Sequence, residues 1–179
     1  MPLSESKGRL GMVPALLAAD VVVLVVSVWI AASAYPRLPH LMATHFNTAG
    51  MPNAWAIKSW GLVLLIPIVQ LVLVALFGGL SLWVQSSPGS LKRVNLPIDT
   101  ASLSGEQSTR VRRVTAQGLS ILSLVLMVML TVVHSSILLA DASGHAPGGS
   151  VMAELVVGVV LCIASVVWMT TGVRSAVRK

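Results

Sequence analysis

The sequence contains little charge, although charged side chains keep soluble proteins in solution. Only 10% of its 179 residues are charged, whereas soluble domains carry about 25%. Hydrophobic residues make up 55% of the chain. A soluble domain of this composition would expose far too much apolar surface to water. The scarcity of charge therefore excludes that class and favours an integral membrane protein.

Cysteine and catalytic signatures are also scarce. The single cysteine, Cys162, cannot form an intrachain disulfide, and no C-x-x-C metal motif is present. The sequence contains no G-x-S-x-G, Walker or H-E-x-x-H pattern. We therefore expect no cofactor and no metal centre, and an enzymatic function has no positive support from the sequence.

Four hydrophobic segments are long enough to cross a bilayer, which requires about 20 residues. They cover approximately 13–34, 60–84, 114–140 and 151–173. We predict an all-α fold in which 1–179 form a single four-helix membrane domain, with an ordered extracytoplasmic loop at 35–59 and a cytoplasmic loop at 85–113. The tripeptide at 32–34 resembles a signal-peptidase site, but the apolar stretch is longer than a signal peptide and Asp20 interrupts it, so we expect an uncleaved first helix.

The basic residues predict the orientation in the membrane. The formal net charge is +6, and ten of the twelve lysines and arginines flank the spans on one side. Only Arg37 and Lys58 lie on the other side. By the positive-inside rule, both termini and the middle loop are cytoplasmic. We expect Arg110, Arg112 and Arg113 to meet lipid headgroups, and we expect no nucleic-acid partner.

Polar residues interrupt the hydrophobic segments at a few positions. The intramembrane polar candidates are Asp20, Gln70, Gln117, His134 and Glu154. A carboxylate at the depth of Asp20 costs at least about 2.5–3.5 kcal/mol unless it is paired or neutral. Two interpretations remain open: a proton or cation site, or a carboxyl satisfied by Gln117 or by an arginine at the inner face. We expect His134 to pair with Glu154 between helices.

All four histidines fall in or near the outer half of the predicted bundle. Histidine suggests a pH sensor, a zinc site or a proton relay. However, His40 and His45 lie five residues apart in a proline-bounded loop, and a zinc site needs three or four ligands. His145 lies in a Gly/Pro-rich turn, where we expect it to be solvated. The spacing therefore predicts no metal site.

The loop between the first two spans carries the most distinctive sequence. It contains Leu38-Pro39, Thr44-His45-Phe46-Asn47, Gly50-Met51-Pro52, Trp55 and Lys58. This pattern resembles L-P-x-x-I-P-x-H-F-N-x-x-G-x-P-D-x-W-x-x-K. That motif is the hallmark of a bacterial membrane family of unknown function, which also forms the N-terminal part of SdpI-type immunity proteins. The resemblance covers about residues 13–80 and implies a bacterial inner-membrane location.

The loop departs from that motif at two positions. Ala43 replaces the second proline, and Asn53 replaces the aspartate. Prolines and Gly50 favour a fixed backbone, and Asn47 can close an Asx-turn. Our candidate binding residues in this loop are His45, Asn47, Gly50, Trp55 and Lys58. The alternative is that His45 and Asn47 only hold the loop in shape.

Three functional hypotheses remain. The first is a non-enzymatic SdpI-like protein whose outer loop binds a peptide, lipid or protein partner, in immunity or sensing. The second is a small membrane enzyme or proton-coupled transporter that uses Asp20, His45, His134 and Glu154. The third is an accessory subunit of a larger membrane complex. In every case membrane lipids surround the spans.

Overall fold

The computed structural model describes residues 11–49, 51–94, 96–144 and 148–178. Four of its helices are long and apolar enough to cross a membrane. They are α1 (Met12–Ala34), α3 (Leu65–Ser86), α4 (Gly105–Ser143) and α5 (Gly148–Arg178). The predicted all-α, four-helix fold is confirmed, and the four apolar helices indicate a multi-pass membrane protein.

Helix α4 lies at the centre of the bundle. Helices α1, α3 and α5 each pack against it, and α1 also contacts α3. The outward faces of the surrounding helices are apolar: Val22 on α1, Val72 on α3 and Val160 on α5 are all exposed. A face of this kind suits lipid tails rather than water. The interior lies between α1, α3 and α4, and α5 covers another side of α4.

The loop after α1, for which the sequence predicts only an ordered loop, contains a β-hairpin. A short 3-10 helix (Tyr35–Arg37) precedes strand β1 (Leu41–Phe46), which pairs antiparallel with β2 (Pro52–Ile57). We call this end of the bundle the hairpin end. The opposite end, where α3 leads into α4, carries most of the described arginines, and we call it the basic end.

A proline interrupts the second hydrophobic segment. The short helix α2 (Trp60–Val63) stops at Leu64, whose φ of −91° and ψ of 0° are not helical, and α3 begins at Leu65. Pro67 has no backbone N–H and its ring clashes with the carbonyl four residues earlier, which belongs to Val63. Pro67 therefore produces a break just before it, and the break leaves the Val63 carbonyl without its helical donor.

Both ends of α4 carry the signals that its sequence predicts. The Ser104 hydroxyl accepts a hydrogen bond from the backbone of Gln107 (3.2 Å), and the Gln107 side chain accepts one from the backbone of Ser104 (3.0 Å). This reciprocal arrangement is the capping box that the S-x-x-Q pattern predicts. Gly144 follows α4 with a left-handed φ of 70°, which a glycine adopts without strain.

Candidate functional site

The hairpin has a defined register with one irregularity. Leu41 pairs with Ile57 and Ala43 pairs with Trp55, whereas the pairing shifts around His45. Opposite residues of an antiparallel pair lie on the same face of the sheet. Leu41, Ala43, Trp55 and Ile57 therefore share one face, and Met42 lies on the other.

The turn of the hairpin is held by Asn47. Its Oδ1 accepts hydrogen bonds from the backbone N–H groups of Ala49 (2.9 Å) and Met51 (3.0 Å). Its own N–H donates to the Met51 carbonyl at 2.9 Å. The predicted Asx-turn at Asn47 is therefore present. Gly50, which we expected to permit this bend, lies outside the described residues.

His45 makes a local contact. Its Nδ1 accepts a hydrogen bond from the backbone N–H of the next residue, Phe46, at 3.1 Å, and the side chain is exposed. His40 is also exposed, and His145 lies outside the described residues. Across the described ranges, no three His, Cys, Asp or Glu side chains lie close enough together to hold a metal ion.

Lys58 fastens the base of the hairpin to the end of α1. Its Nζ donates to the carbonyl oxygens of Leu38 (2.8 Å) and Tyr35 (3.4 Å). The same ammonium lies 5.1 Å from the centre of the Tyr35 ring, and that ring stacks on Trp60 with centroids 3.8 Å apart. A cation over an aromatic face adds to the two hydrogen bonds. Lys58 therefore joins the segment before β1 to the segment after β2.

The inner face of the hairpin is anchored in the bundle. Met42 is 3% exposed and belongs to an apolar cluster at the hairpin end. The cluster consists of Ala31, Leu38, Met42, Val63 and Leu138. It brings together α1, the hairpin, α2 and α4. The backbone of Ala43 also hydrogen-bonds to the carboxylate of Asp141 near the end of α4. These contacts make the hairpin part of the bundle rather than a loose loop.

The other face of the hairpin is apolar and exposed. Leu41 is 57% exposed, Trp55 is 59% exposed and Ile57 is 64% exposed. We call these three residues the hairpin patch. An exposed apolar patch on an ordered element marks a surface that contacts a partner or a membrane. Of the five candidate binding residues, only Trp55 contributes to it, because Asn47 and Lys58 bond within the hairpin and its base.

Asp20 has a different partner from those that the sequence suggested. Its Oδ2 accepts a hydrogen bond from the hydroxyl of Ser123 on α4 at 2.8 Å, and its side chain is 0% exposed. Its Oδ1 has no partner among the described residues. Pairing with Gln117 or with an inner arginine was therefore the wrong expectation. Helix rotation brings Ser123, and not the half-buried Gln117, to face α1.

The expected pair of His134 and Glu154 is not formed either. Glu154 accepts a hydrogen bond from the hydroxyl of Ser136 at 2.7 Å, between α5 and α4. His134, two residues earlier on α4, instead bonds to the backbone of Val63. It thus supplies a donor to the carbonyl that Pro67 leaves without a helical partner. His134 and Ser136 are two residues apart and leave α4 in different directions, so the face of α4 that meets Glu154 is not the face that carries His134.

Gln70 links α3 to α4 in the interior. Its Nε2 donates to the backbone carbonyl of Met127 (2.9 Å) and to the hydroxyl of Thr131 (2.8 Å). The hydroxyls on α4 that complete these contacts were not singled out from the sequence. Ser123, Thr131 and His134 recur at steps that place them near one face of a helix, a spacing that was available in the sequence.

The arginines at the basic end make exposed contacts. Arg110 forms a salt bridge with Glu106 at 3.5 Å, and Arg112 contacts the Gln85 carbonyl at 3.5 Å. Arg113 is exposed. All three arginines lie near the start of α4. Their expected contact with lipid headgroups stays a prediction.

The four residues of the enzyme or transporter hypothesis do not form one site. Asp20 faces α4 from α1, Glu154 faces α4 from α5, His134 bonds beneath the hairpin and His45 lies within it. The geometry thus separates two features: an anchored hairpin with an exposed apolar patch, and a buried polar interior.

Comparison with known proteins finds a similarity that includes the hairpin. Residues 22–71 are similar to a family described as Domain of unknown function (DUF1648). No curated protein and no solved structure matches the chain. The DUF1648 match begins within α1, includes the whole hairpin and ends in α3 just past Gln70. The matched range therefore contains the residues that build the hairpin, whereas Leu138 and Asp141, which help to anchor it, lie outside the range.

Proposed function

We propose that this chain is a non-enzymatic membrane protein whose hairpin binds a peptide or protein partner outside the cytoplasm. The observation that carries the proposal is the hairpin patch of Leu41, Trp55 and Ile57. These side chains are exposed on a hairpin whose opposite face is buried in the bundle. A rigid apolar surface that contains a tryptophan loses little conformational entropy on binding, and tryptophan is enriched in binding hot spots.

The proposal includes the orientation of the chain in the membrane. Ten of the twelve lysines and arginines belong to the termini and the middle loop, which places those segments in the cytoplasm by the positive-inside rule. The hairpin then faces outward from a bacterial inner membrane. An immunity, sensing or accessory-subunit role fits this position, since each requires contact with another molecule at the outer face.

The internal bonding of the hairpin supports a binding role rather than a catalytic one. Asn47 satisfies the turn, His45 bonds to its own neighbour, and Lys58 bonds to the carbonyls of Leu38 and Tyr35. None of these side chains is arranged as a nucleophile beside a base, which covalent catalysis requires. Their polar atoms hold the scaffold, so recognition falls to the exposed patch.

Site-specific photocrosslinking in native membranes tests the proposal. A crosslinking residue at Ile57, which is 64% exposed, should give an adduct with a peptide or protein. The matched control is Val160 on α5, which is 58% exposed on an apolar helix face and should give lipid adducts alone. Lipid adducts alone at both positions would show that the patch is a membrane anchor and would reject the proposal.

A second experiment tests whether the scaffold presents the patch. Lys58→Met removes the bonds to Leu38 and Tyr35 but leaves Trp55 and Ile57 in the sequence. We expect a lower yield of the protein adduct at Ile57, and a yield nearer to the native level for Lys58→Arg, which keeps a donor. Equal yields in all three proteins would show that binding does not depend on the anchored hairpin.

A further inference from the structure

A small pocket opens between α4 and α5 at the basic end of the bundle. We call it the basic pocket, and its cavity volume is about 240 Å³. It is lined by Arg110, Arg113 and Val114 of α4 and by Gly172, Ser175 and Ala176 of α5. The hairpin patch lies at the opposite end of the bundle, so the basic pocket is a separate feature.

The basic pocket lies at the level where the hydrocarbon core of a membrane ends. On α5 no charged residue occurs between Glu154 and Arg174, which are 20 residues apart. That step rises about 30 Å at 1.5 Å per residue, which matches the thickness of the hydrocarbon core. Arg174 lies between Gly172 and Ser175 in the chain, so the pocket is at the depth of the lipid headgroups.

The floor of the basic pocket is apolar. Val114 packs against a cluster that contains Val111, Val173 and Ala176. The two helices approach closely there, since a Cβ at Gly172 would lie 2.9 Å from Cγ1 of Val114. An apolar floor at this depth suits the methylene groups next to a lipid headgroup, because contact with it removes them from water. A free inorganic anion has no apolar part to place there.

Two guanidinium groups form the polar side of the basic pocket. Arg110 and Arg113 are three residues apart, a spacing that makes them neighbours on the helix surface. Within the described ranges, Arg113 forms no hydrogen bond or ion pair, and the buried Nε of Arg110 has no partner. Nη2 of Arg110 lies 3.5 Å from the carboxylate of Glu106, whose side chain is 82% exposed. An exposed ion pair of this kind is weak, so both arginines have donors available for an anion.

The charge around the basic pocket favours a ligand with a net negative charge. The described part of the basic end carries seven lysines and arginines, against two acidic residues, Asp99 and Glu106. A zwitterionic headgroup would bring its ammonium group close to these cations, whereas an anionic headgroup carries no such group. Arg112 does not line the pocket, because its guanidinium contacts the Gln85 carbonyl (3.5 Å) and the Thr109 hydroxyl (3.3 Å).

We propose that the basic pocket binds an anionic phospholipid, with the phosphate between Arg110 and Arg113 and the adjoining methylene groups on Val114 and Ala176. A guanidinium presents two parallel N–H donors to phosphate oxygens, which a lysine cannot do. Arg110 exchanges Glu106 for the phosphate when the lipid binds. Assignment of this lipid to the cytoplasmic leaflet rests on the orientation proposed above, whereas binding itself does not.

Native mass spectrometry of the protein from micelles tests the site. The micelles contain equal amounts of phosphatidylglycerol and phosphatidylethanolamine with the same acyl chains, and the protein should retain phosphatidylglycerol preferentially. Arg110→Gln with Arg113→Gln should weaken that binding about tenfold, as expected for the loss of a charge-assisted hydrogen bond. The matched control is Lys92→Gln with Arg93→Gln, which removes the same charge from exposed positions outside the pocket and should change little. Equal losses in both double variants, or no preference for phosphatidylglycerol, would reject the site.

The ion pair of Arg110 with Glu106 provides a second test. Glu106→Gln removes the carboxylate that competes with the phosphate, so the affinity for phosphatidylglycerol should rise about two- to fivefold, the range for an exposed salt bridge. Asp99→Asn is the control, because it removes the other described acidic charge of this end at a position outside the pocket. An unchanged or lower affinity in Glu106→Gln, or an equal rise in Asp99→Asn, would show that Arg110 does not exchange Glu106 for the lipid.

Competition with inorganic phosphate distinguishes a lipid from a free anion. Millimolar inorganic phosphate should leave phosphatidylglycerol bound, because the apolar floor contributes only to lipid binding. Displacement of the lipid by inorganic phosphate would assign the pocket to a free anion and would overturn the proposal. Micelles have no leaflets, and none of these variants alters Leu41, Trp55 or Ile57. A negative result would therefore leave the proposed orientation and the hairpin patch untouched.

Discussion

Helix α4 makes the same polar contact twice, with opposite surroundings. Ser123 donates to Asp20 of α1 at 2.8 Å, and Ser136 donates to Glu154 of α5 at 2.7 Å. The first carboxyl is 0% exposed between α1 and α4, whereas the second is only partly buried. Glu154 lines an apolar groove of about 550 Å³ between α4 and α5. Similar bond lengths therefore occur in a closed polar interior and at an open apolar seam.

The comparison shows that α4 joins its neighbours by two kinds of packing. Toward α1 and α3 it uses hydroxyls and a histidine that bond to side chains or backbone. Toward α5 it adds close approach to the Ser136 hydrogen bond, since Gly118 lies against Met169 and Gly158 lies against Met129. Small residues let membrane helices approach closely. Polar residues supply hydrogen bonds between helices, because the hydrophobic effect does not drive helices together inside a bilayer.

The largest effect is expected at the seam between α4 and α5, where the two helices approach closely. A Cβ at Gly118 would lie 2.7 Å from Met169 Cβ and 2.4 Å from its Cγ. Gly118→Val should therefore destabilise the protein by about 3 kcal/mol, the upper end of the range for overpacking. Unfolding in mixed micelles measures the change. Gly79→Val on α3 is the control, because its Cβ meets nothing within 4 Å. Equal losses in both variants would show that the seam is not tightly packed.

The next effect concerns the break before α3. His134→Leu removes the donor to the Val63 carbonyl and should cost about 1–3 kcal/mol, because a buried acceptor is left without a partner. Adding Pro67→Ala restores a backbone N–H four residues after Val63 and should recover most of that loss. Unfolding of the single and double variants in mixed micelles measures both steps. A double variant as unstable as His134→Leu would show that His134 does not replace the missing helical donor.

Hydropathy and local signals predicted the helices because each depends on neighbours in sequence. The four spans, the capping box at Ser104 and the turn at Asn47 all follow from residues close together in the chain. The break near Pro67 also has a local cause, since it follows from the missing N–H of one proline. The strands of the hairpin were missed, because pairing β1 with β2 is not visible in either six-residue segment alone.

The partners of the buried polar residues could not be predicted, because they depend on how the helices are rotated and aligned. Asp20 was assigned to Gln117 or an arginine, and it bonds to Ser123. His134 was assigned to Glu154, and it bonds to Val63. Sequence composition identifies which residues need a partner inside a membrane, but the choice among candidates requires the register of one helix against another.

The third prediction concerns the strength of the buried contact between Asp20 and Ser123. A double-mutant cycle of Asp20→Ala and Ser123→Ala should give a coupling energy of about 1–1.7 kcal/mol, at the upper end of values for polar contacts between membrane helices. Full burial of both groups is the reason, since no alternative partner can approach. Ser120→Ala is the control, because the Ser120 hydroxyl bonds to the Ala116 carbonyl of its own helix and should not couple to Asp20. A coupling energy near zero would show that the short distance has no energetic consequence.

The smallest effect is expected at the partly exposed contact between Glu154 and Ser136. The cycle of Glu154→Ala and Ser136→Ala should give a coupling energy of about 0.6 kcal/mol, the average for such contacts. The Glu154 side chain is only partly buried at the groove, whereas Asp20 and Ser123 are fully buried, so the hydrogen bond to Glu154 should contribute less. Measurement in the same micelles as the Asp20 cycle makes the two energies comparable. If the Glu154 pair coupled as strongly as the Asp20 pair, burial would not be what distinguishes the two faces of α4.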